Sequence, residues 1–188
     1  MRKLVIILLL MPIVLKAPVL NGSAKDNMIR HFENMTKRYE ARDRINEIKT
    51  MEFTIELLKE YINLVDPSLM NVPIRQFILE TGWFKSELFT VNNNIAGMKY
   101  PRIRKTTATD VAMGHAKYEH WTDSVDDYIF WRDHWKSRGY STENYYQFLR
   151  EVNYAASYNY EELLKNIDVR KFEYSNQFDQ IKQSSPAA

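Results

Sequence analysis

Between residues 26 and 66 apolar side chains recur at helical spacing. They fall at Met28, Ile29, Phe32, Met35 and Tyr39, and again at Phe53, Ile55, Leu57, Leu58, Tyr61, Ile62 and Val65. Asp66-Pro67-Ser68 stops the pattern. A third helix is predicted from Asn71, which can cap it ahead of Pro73, through Ile74, Phe77 and Ile78, with Glu80 in its last turn. From Asn92 to about Trp121 the period disappears among Asn92-Asn93-Asn94, Gly97, Pro101, several threonines and Gly114, which predicts a small β-hairpin or extended lobe. Helix resumes at Thr122, a good N-cap followed by Asp123, Asp126 and Asp127 at the favourable positive end, and Gly139 closes it. Two shorter helices are predicted over residues 142–152 and 159–167. The expected class is mainly α (α+β).

A chain of 188 residues with 45% hydrophobic content can build one domain with a real core. Residues 1–24 stand apart: Arg2 and Lys3 precede the apolar run from Leu4 to Met11, and Gly22-Ser23-Ala24 offers small residues at a cleavage point. This reads as a signal peptide, short for a membrane span and interrupted by Pro12 and Lys16, with an uncleaved N-terminal anchor as the alternative. Residues 25–175 are then the folded domain and 176–188 a flexible tail. Taking Arg2, Lys3 and Lys16 from the 26 bases, and nothing from the 24 acids, leaves a net charge of about −1. The basicity of the whole sequence belongs largely to the leader, so no nucleic-acid partner is expected. The chain has no cysteine, so an exported product is stabilised by core packing alone. A monomer, without stable membrane insertion once the leader is removed, is expected.

The stretch RQFILETGWFKSE, residues 75–87, raises the question of chemistry. On a helical wheel Glu80 lies roughly 60° from Phe77, at the border of the apolar face. A carboxyl there is partly desolvated, which raises its pKa toward what a general acid requires. From this geometry alone a structural helix-end glutamate, bonded to a nearby backbone group or base, is the favoured reading. His31, His115, His120 and His134 have no metal-ligand spacing, and neither a metal nor an organic cofactor is expected. Lys99, Arg102, Arg104 and Lys105 cluster in the extended lobe and read as a solvated rim.

QFILETGWFKS (residues 76–86) followed by NNIAGMK (residues 93–99) resembles the glucosaminidase family of peptidoglycan hydrolases, glycoside hydrolase family 73. Its members carry a segment like Q-x-I-L-E-[ST]-G-W-G-K-S and then N-N-[LI]-F-G-[IM]-K. WTDSVDDY (residues 121–128) and NYAASYNYEELLKNI (residues 153–167) resemble two further family segments, in the same order. The similarity covers roughly residues 70–168.

That resemblance implies a lysozyme-like fold, a helical lobe bearing the acid opposite a small β-lobe, and hydrolysis of the β-1,4 bond after N-acetylglucosamine in peptidoglycan glycan strands. It implies Glu80 as the catalytic acid, Tyr154 as the tyrosine of the cleaved sugar's subsite, and Asp110, the last residue of RKTTATD, at about the place where the family usually has a second glutamate. Asn94, Tyr118, Trp121 and Tyr160 are the expected substrate contacts, and Trp83 is expected to be structural. The chain departs from the family pattern at Phe84 and Asn153, where glycine is usual, at Ala96, where phenylalanine is usual, and at Ala156-Ser157-Tyr158. A lytic transglycosylase or muramidase of the same fold class, or a non-catalytic glycan-binding module, are the alternatives.

Overall fold

The computed structural model describes residues 22–169, so the expected leader up to residue 21 and the expected tail lie outside the described residues. The chain divides into two compact units, one ending at Asn46 and the other beginning at Glu47. Among the described residues the first unit is the part of helix α1 (Gly22–Ile48) up to Asn46, and the last two residues of that helix belong to the second. Its apolar side chains at Ile29, Phe32 and Tyr39 are exposed.

The second unit opens with a break the periodicity does not announce. Residues 26 to 66 were expected to be helical with no boundary placed between the first two helices; turns at Thr50 and Met51 close on Glu47 and Ile48, and Thr54 starts the new helix by accepting the Leu57 N–H at 3.1 Å. A threonine hydroxyl that caps a helix offers its backbone an alternative to continuing the previous one. The break also lets Phe53 turn inward against Phe84, Phe89 and Trp121. Helix α2 (Ile55–Val65) then buries Leu58, Tyr61 and Ile62, and a 3-10 turn (Pro67–Met70) leads into α3 (Val72–Glu80). Asn71 stands at the N-cap of α3 as expected, but its side chain makes no capping bond.

Helix α3 is the core element: Val72, Ile74, Phe77 and Ile78 are all buried. After it comes α4 (Glu87–Asn92), six residues that the sequence pattern does not reveal. The β-lobe is a hairpin of β1 (Asp110–Ala112) and β2 (His115–Lys117), paired Asp110 to Lys117, Val111 to Ala116 and Ala112 to His115. Met113 and Gly114 make its two-residue turn, both at positive φ, as a primed turn requires. Helix α5 (Trp121–Lys136) follows, then α6 (Tyr145–Glu151) and α7 (Tyr160–Lys165), the last packed against α3. The cap of α5 is His120 rather than Thr122, which is itself buried; His120 and Asp123 form a reciprocal capping box. Helix order and hairpin match the lysozyme-like α+β class.

The irregular stretch before the hairpin is fastened by buried polar groups. Arg104, expected on a solvated rim, instead grips the fully buried Asp127 of α5 through two bonds of 2.7 and 2.8 Å, and the Tyr118 hydroxyl donates to the same carboxylate at 2.9 Å. Lys99, Arg102 and Lys105 are exposed. Such a buried pair is costly to interrupt, because the surviving charge is left without solvent or partner. Asp127→Asn is therefore expected to cost on the order of 3 kcal/mol in urea unfolding, whereas Lys49→Ala, which breaks the half-exposed pair with Asp126 at 2.9 Å, should cost below about 1 kcal/mol. Equal effects at the two positions would contradict this placement of the charges.

Candidate active site

Glu80 is where α3 stops, and the stop is built from Thr81. The Gly82 N–H bonds Leu79 O and the Trp83 N–H bonds Ile78 O, the paired bonds of a Schellman cap with Gly82 at φ 53°. Thr81 is fully buried. Its hydroxyl donates to Phe77 O at 2.5 Å and accepts from the Phe84 N–H at 2.9 Å, while its carbonyl takes the N–H groups of Lys85 and Ser86. The backbone leaves the helix axis immediately after the acid, and the carboxyl of Glu80 is presented at the helix end.

That end carries the negative pole of the helix, so an anion there is disfavoured. Burial disfavours it further and holds the Glu80 carboxyl above the usual glutamate range, against the opposing pull of the Tyr160 hydroxyl and the charge on His115. Tyr160, from α7, donates to Oε1 at 2.6 Å. The other oxygen, Oε2, lies against Gly97, where a methyl group would stand 2.9 Å from it; Gly97 also has φ 62°. A glycine is required there both by the backbone and by the acid.

Gly97 sits on a loop that Asn94 and Tyr154 hold in place. The Tyr154 hydroxyl donates to Ala96 O at 2.6 Å, and its ring packs between Trp131 and Tyr160 at centroid distances of 5.0 and 5.8 Å. Asn94 is fully buried: its amide donates to Met98 O and Ala116 O and accepts from the Met98 N–H, all within 2.9 Å. It is a loop fastener with no donor left for a ligand. Tyr118 and Trp121 are likewise enclosed and not sugar platforms. Tyr118 is spent on Asp127, and Trp121 packs on Phe53 and Tyr61 while its indole N–H bonds Met51 O at 3.2 Å.

Of the seven residues singled out in the sequence, the structure thus brings Glu80, Tyr154 and Tyr160 together. Asp110 is exposed at the start of β1, with its Oδ1 accepting the Val111 N–H at 2.7 Å. Strand alternation and register place Asp110 and Lys117 on the hairpin face that also carries His115. Trp83, expected to be structural, is about one-third exposed. Three neighbours escaped the sequence reading. His115 was weighed only as a metal ligand, and Gly97 and Gln76 were read only as a loop former and as members of the family segments, although a lone amide four residues before Glu80 in an apolar run puts Gln76 on the same helix face. Among the described residues no three His, Cys, Asp or Glu side chains converge as a metal site would need.

The family model described as Mannosyl-glycoprotein endo-beta-N-acetylglucosaminidase matches residues 55–170, well over half of the chain, from the first residue of α2 past the end of α7. No curated protein and no solved structure matches.

The raised Glu80 carboxyl fixes the sign of a stability effect. The folded protein keeps a proton that the unfolded chain releases above about pH 4.3, so stability falls as pH rises through the interval up to the folded value. Glu80→Gln removes that loss. Its melting temperature should exceed that of the wild type at pH 7, with the gap closing by about pH 4. A gap that is independent of pH would show that the carboxyl is not desolvated. Gly97→Ala should narrow the same gap, because the added methyl pushes the carboxylate out from its seat; an unchanged gap would mean that the loop yields instead.

Proposed function

Starting from a chain that belongs to the glucosaminidase family of peptidoglycan hydrolases, we propose that this protein is an exported endo-β-N-acetylglucosaminidase that cleaves the β-1,4 bond after N-acetylglucosamine, with Glu80 as general acid. The observation that carries this reading is the setting of Glu80: a desolvated carboxyl at the negative end of α3, with one oxygen tied to Tyr160 and the other facing Gly97. Such a group holds its proton more tightly than an exposed glutamate does and can give it to the leaving glycosidic oxygen.

As the bond breaks, positive charge develops at the anomeric carbon. Asp110 can answer it by directing a water, or the substrate's own 2-acetamido oxygen can attack. The groups whose charge or hydrogen bond acts on Glu80 are Tyr160 and His115, and Asp110 is not one of them. Two carboxyls about 5 Å apart, as a double displacement through an enzyme nucleophile needs, would perturb each other in so desolvated a place. That favours a supporting role for Asp110 and participation by the acetamido group. Tyr154 acts in this scheme by holding the Gly97 loop against the acid rather than by stacking on a sugar. A single carboxyl in the site also suits a lytic transglycosylase, whose product ends in an anhydro sugar.

The test is the initial rate on insoluble peptidoglycan between pH 4 and 8, with mass spectrometry of the fragment ends and circular dichroism of each variant. Glu80→Gln should lose on the order of 10²-fold or more while remaining folded. Asp110→Asn should be impaired less than that. New reducing ends at N-acetylglucosamine support the proposal; anhydro ends would replace it with the transglycosylase, and a Glu80→Gln enzyme as fast as the wild type would remove Glu80 from the chemistry.

A further inference from the structure

Behind Glu80 runs a line of buried hydroxyl and amide groups that the reaction scheme above does not use. The Tyr160 hydroxyl, which donates to Glu80 Oε1, lies 3.4 Å from the amide nitrogen of Gln76. The amide oxygen of Gln76 accepts from the Tyr128 hydroxyl, and the Tyr128 and Tyr145 hydroxyls are 2.9 Å apart. Gln76 and Tyr128 are fully buried, and Tyr145 reaches a cavity of about 700 Å³ at the opposite end of α3. A buried amide on an apolar helix face is tolerated only when its bonds are made, and with its oxygen on Tyr128 and its nitrogen on Tyr160 the donors follow along the line, Tyr145 to Tyr128, Tyr128 to Gln76 and Gln76 to Tyr160.

We infer that Gln76 is a positioning residue for the acid: its amide N–H fixes the Tyr160 hydroxyl as a donor to Oε1, so that the proton Glu80 delivers rests on Oε2, the oxygen facing Gly97. The inference rests on the reading of Glu80 as the acid and adds which oxygen acts.

The argument is a count of protons. A tyrosine hydroxyl has one hydrogen. With the Gln76 N–H directed at its oxygen, Tyr160 can place that hydrogen only toward Glu80. Turning the amide over would reverse every donor in the line; the structure has its oxygen on the Tyr128 hydroxyl, so Tyr128 spends its one hydrogen there and accepts from Tyr145. Each group takes a hydrogen from the side away from Glu80 and presents one toward it. The carbonyl oxygen of a carboxylic acid accepts better than its hydroxyl oxygen, so with Tyr160 donating to Oε1 the proton falls to Oε2. An amide does not shuttle protons, and the line therefore sets direction without conducting.

The other titratable groups facing Glu80 are His115 from β2 and Tyr154 from the segment after α6, and neither bonds Gln76. The experiment is a carbon-detected NMR titration of the Glu80 carboxyl, identified by its loss in Glu80→Gln, in the wild type, Tyr160→Phe, Gln76→Met and the double variant. Removing the Tyr160 donor should raise the Glu80 midpoint by about one pH unit. Gln76→Met should raise it in the same direction, by less, and should add nothing once Tyr160 is phenylalanine.

A Gln76→Met midpoint equal to that of the wild type, or a shift that adds in full to that of Tyr160→Phe, would overturn the inference. If circular dichroism shows Gln76→Met unfolded, Tyr128→Phe, which frees the amide to turn over, is judged by the same two criteria. The titration needs no turnover, so its outcome is separate from that of the rate assay with Glu80→Gln, which tests the parent reading.

Discussion

The site depends on one constraint, that α3 must end at Glu80. A helix that ran one turn further would carry the carboxyl into the middle of a packed face, and a helix that ended earlier would leave it in water. Thr81 fixes the point by taking four bonds at once, two through its hydroxyl and two through its carbonyl. Because the residue is wholly buried, each of those bonds must be made, and losing any of them leaves a polar group stranded. The Schellman cap then reverses the chain through Gly82. Everything that meets Glu80, from Tyr160 to Gly97, is arranged around a carboxyl whose position is set by backbone geometry.

The elements opposite Glu80 are held by a different principle. The loop that brings Gly97 to the acid has almost no regular structure, and its strands are three residues each. Its stiffness comes from polar groups sealed inside: Asn94 bridging Met98 and Ala116, Arg104 and Tyr118 meeting on Asp127, Tyr154 on Ala96. Inside a protein such bonds are strong and unforgiving of a missing partner. The same feature that makes a short lobe rigid makes it intolerant of substitution at residues that never touch a substrate.

How much of this was legible in the residues follows from what each signal measures. Period 3.6 with a cap and a stop located α3, α5 and the two helices after it, because burial of one face is what the pattern records. It could not show the break at residues 49–54, where apolar positions continue in phase on both sides, nor α4, too short to display a period. Glu80 was legible as a charge at the edge of an apolar stripe just before a glycine. Asn94, Tyr118 and Trp121 were misplaced for a common reason: an amide or an aromatic ring with a polar tip suits a sugar cleft and a sealed core equally well, and what covers it is decided by distant segments. Tyr118 needed Arg104 and Asp127, and Trp121 needed Phe53, which only the unexpected break turns inward.

Phe84 shows how such a core bears on the acid. Gly82, Trp83 and Phe84 are three successive residues at positive φ, where a side chain is strained and a bulky one most of all. The family pattern has glycine at the third position; this chain has phenylalanine, at a conformational cost of roughly 1–2 kcal/mol. The ring lies 5.0 Å from Phe53 and 5.9 Å from Phe89, in the cluster that Trp121 closes. Aromatic contacts contribute about 0.5–1.5 kcal/mol each beyond the burial itself, enough to offset the strain. The consequence falls on Glu80. Glycine would leave the turn after the acid free to relax, whereas phenylalanine ties that turn to a cluster anchored on α5, so the segment that fixes Glu80 is held from both ends, by Thr81 within the turn and by packed rings beyond it.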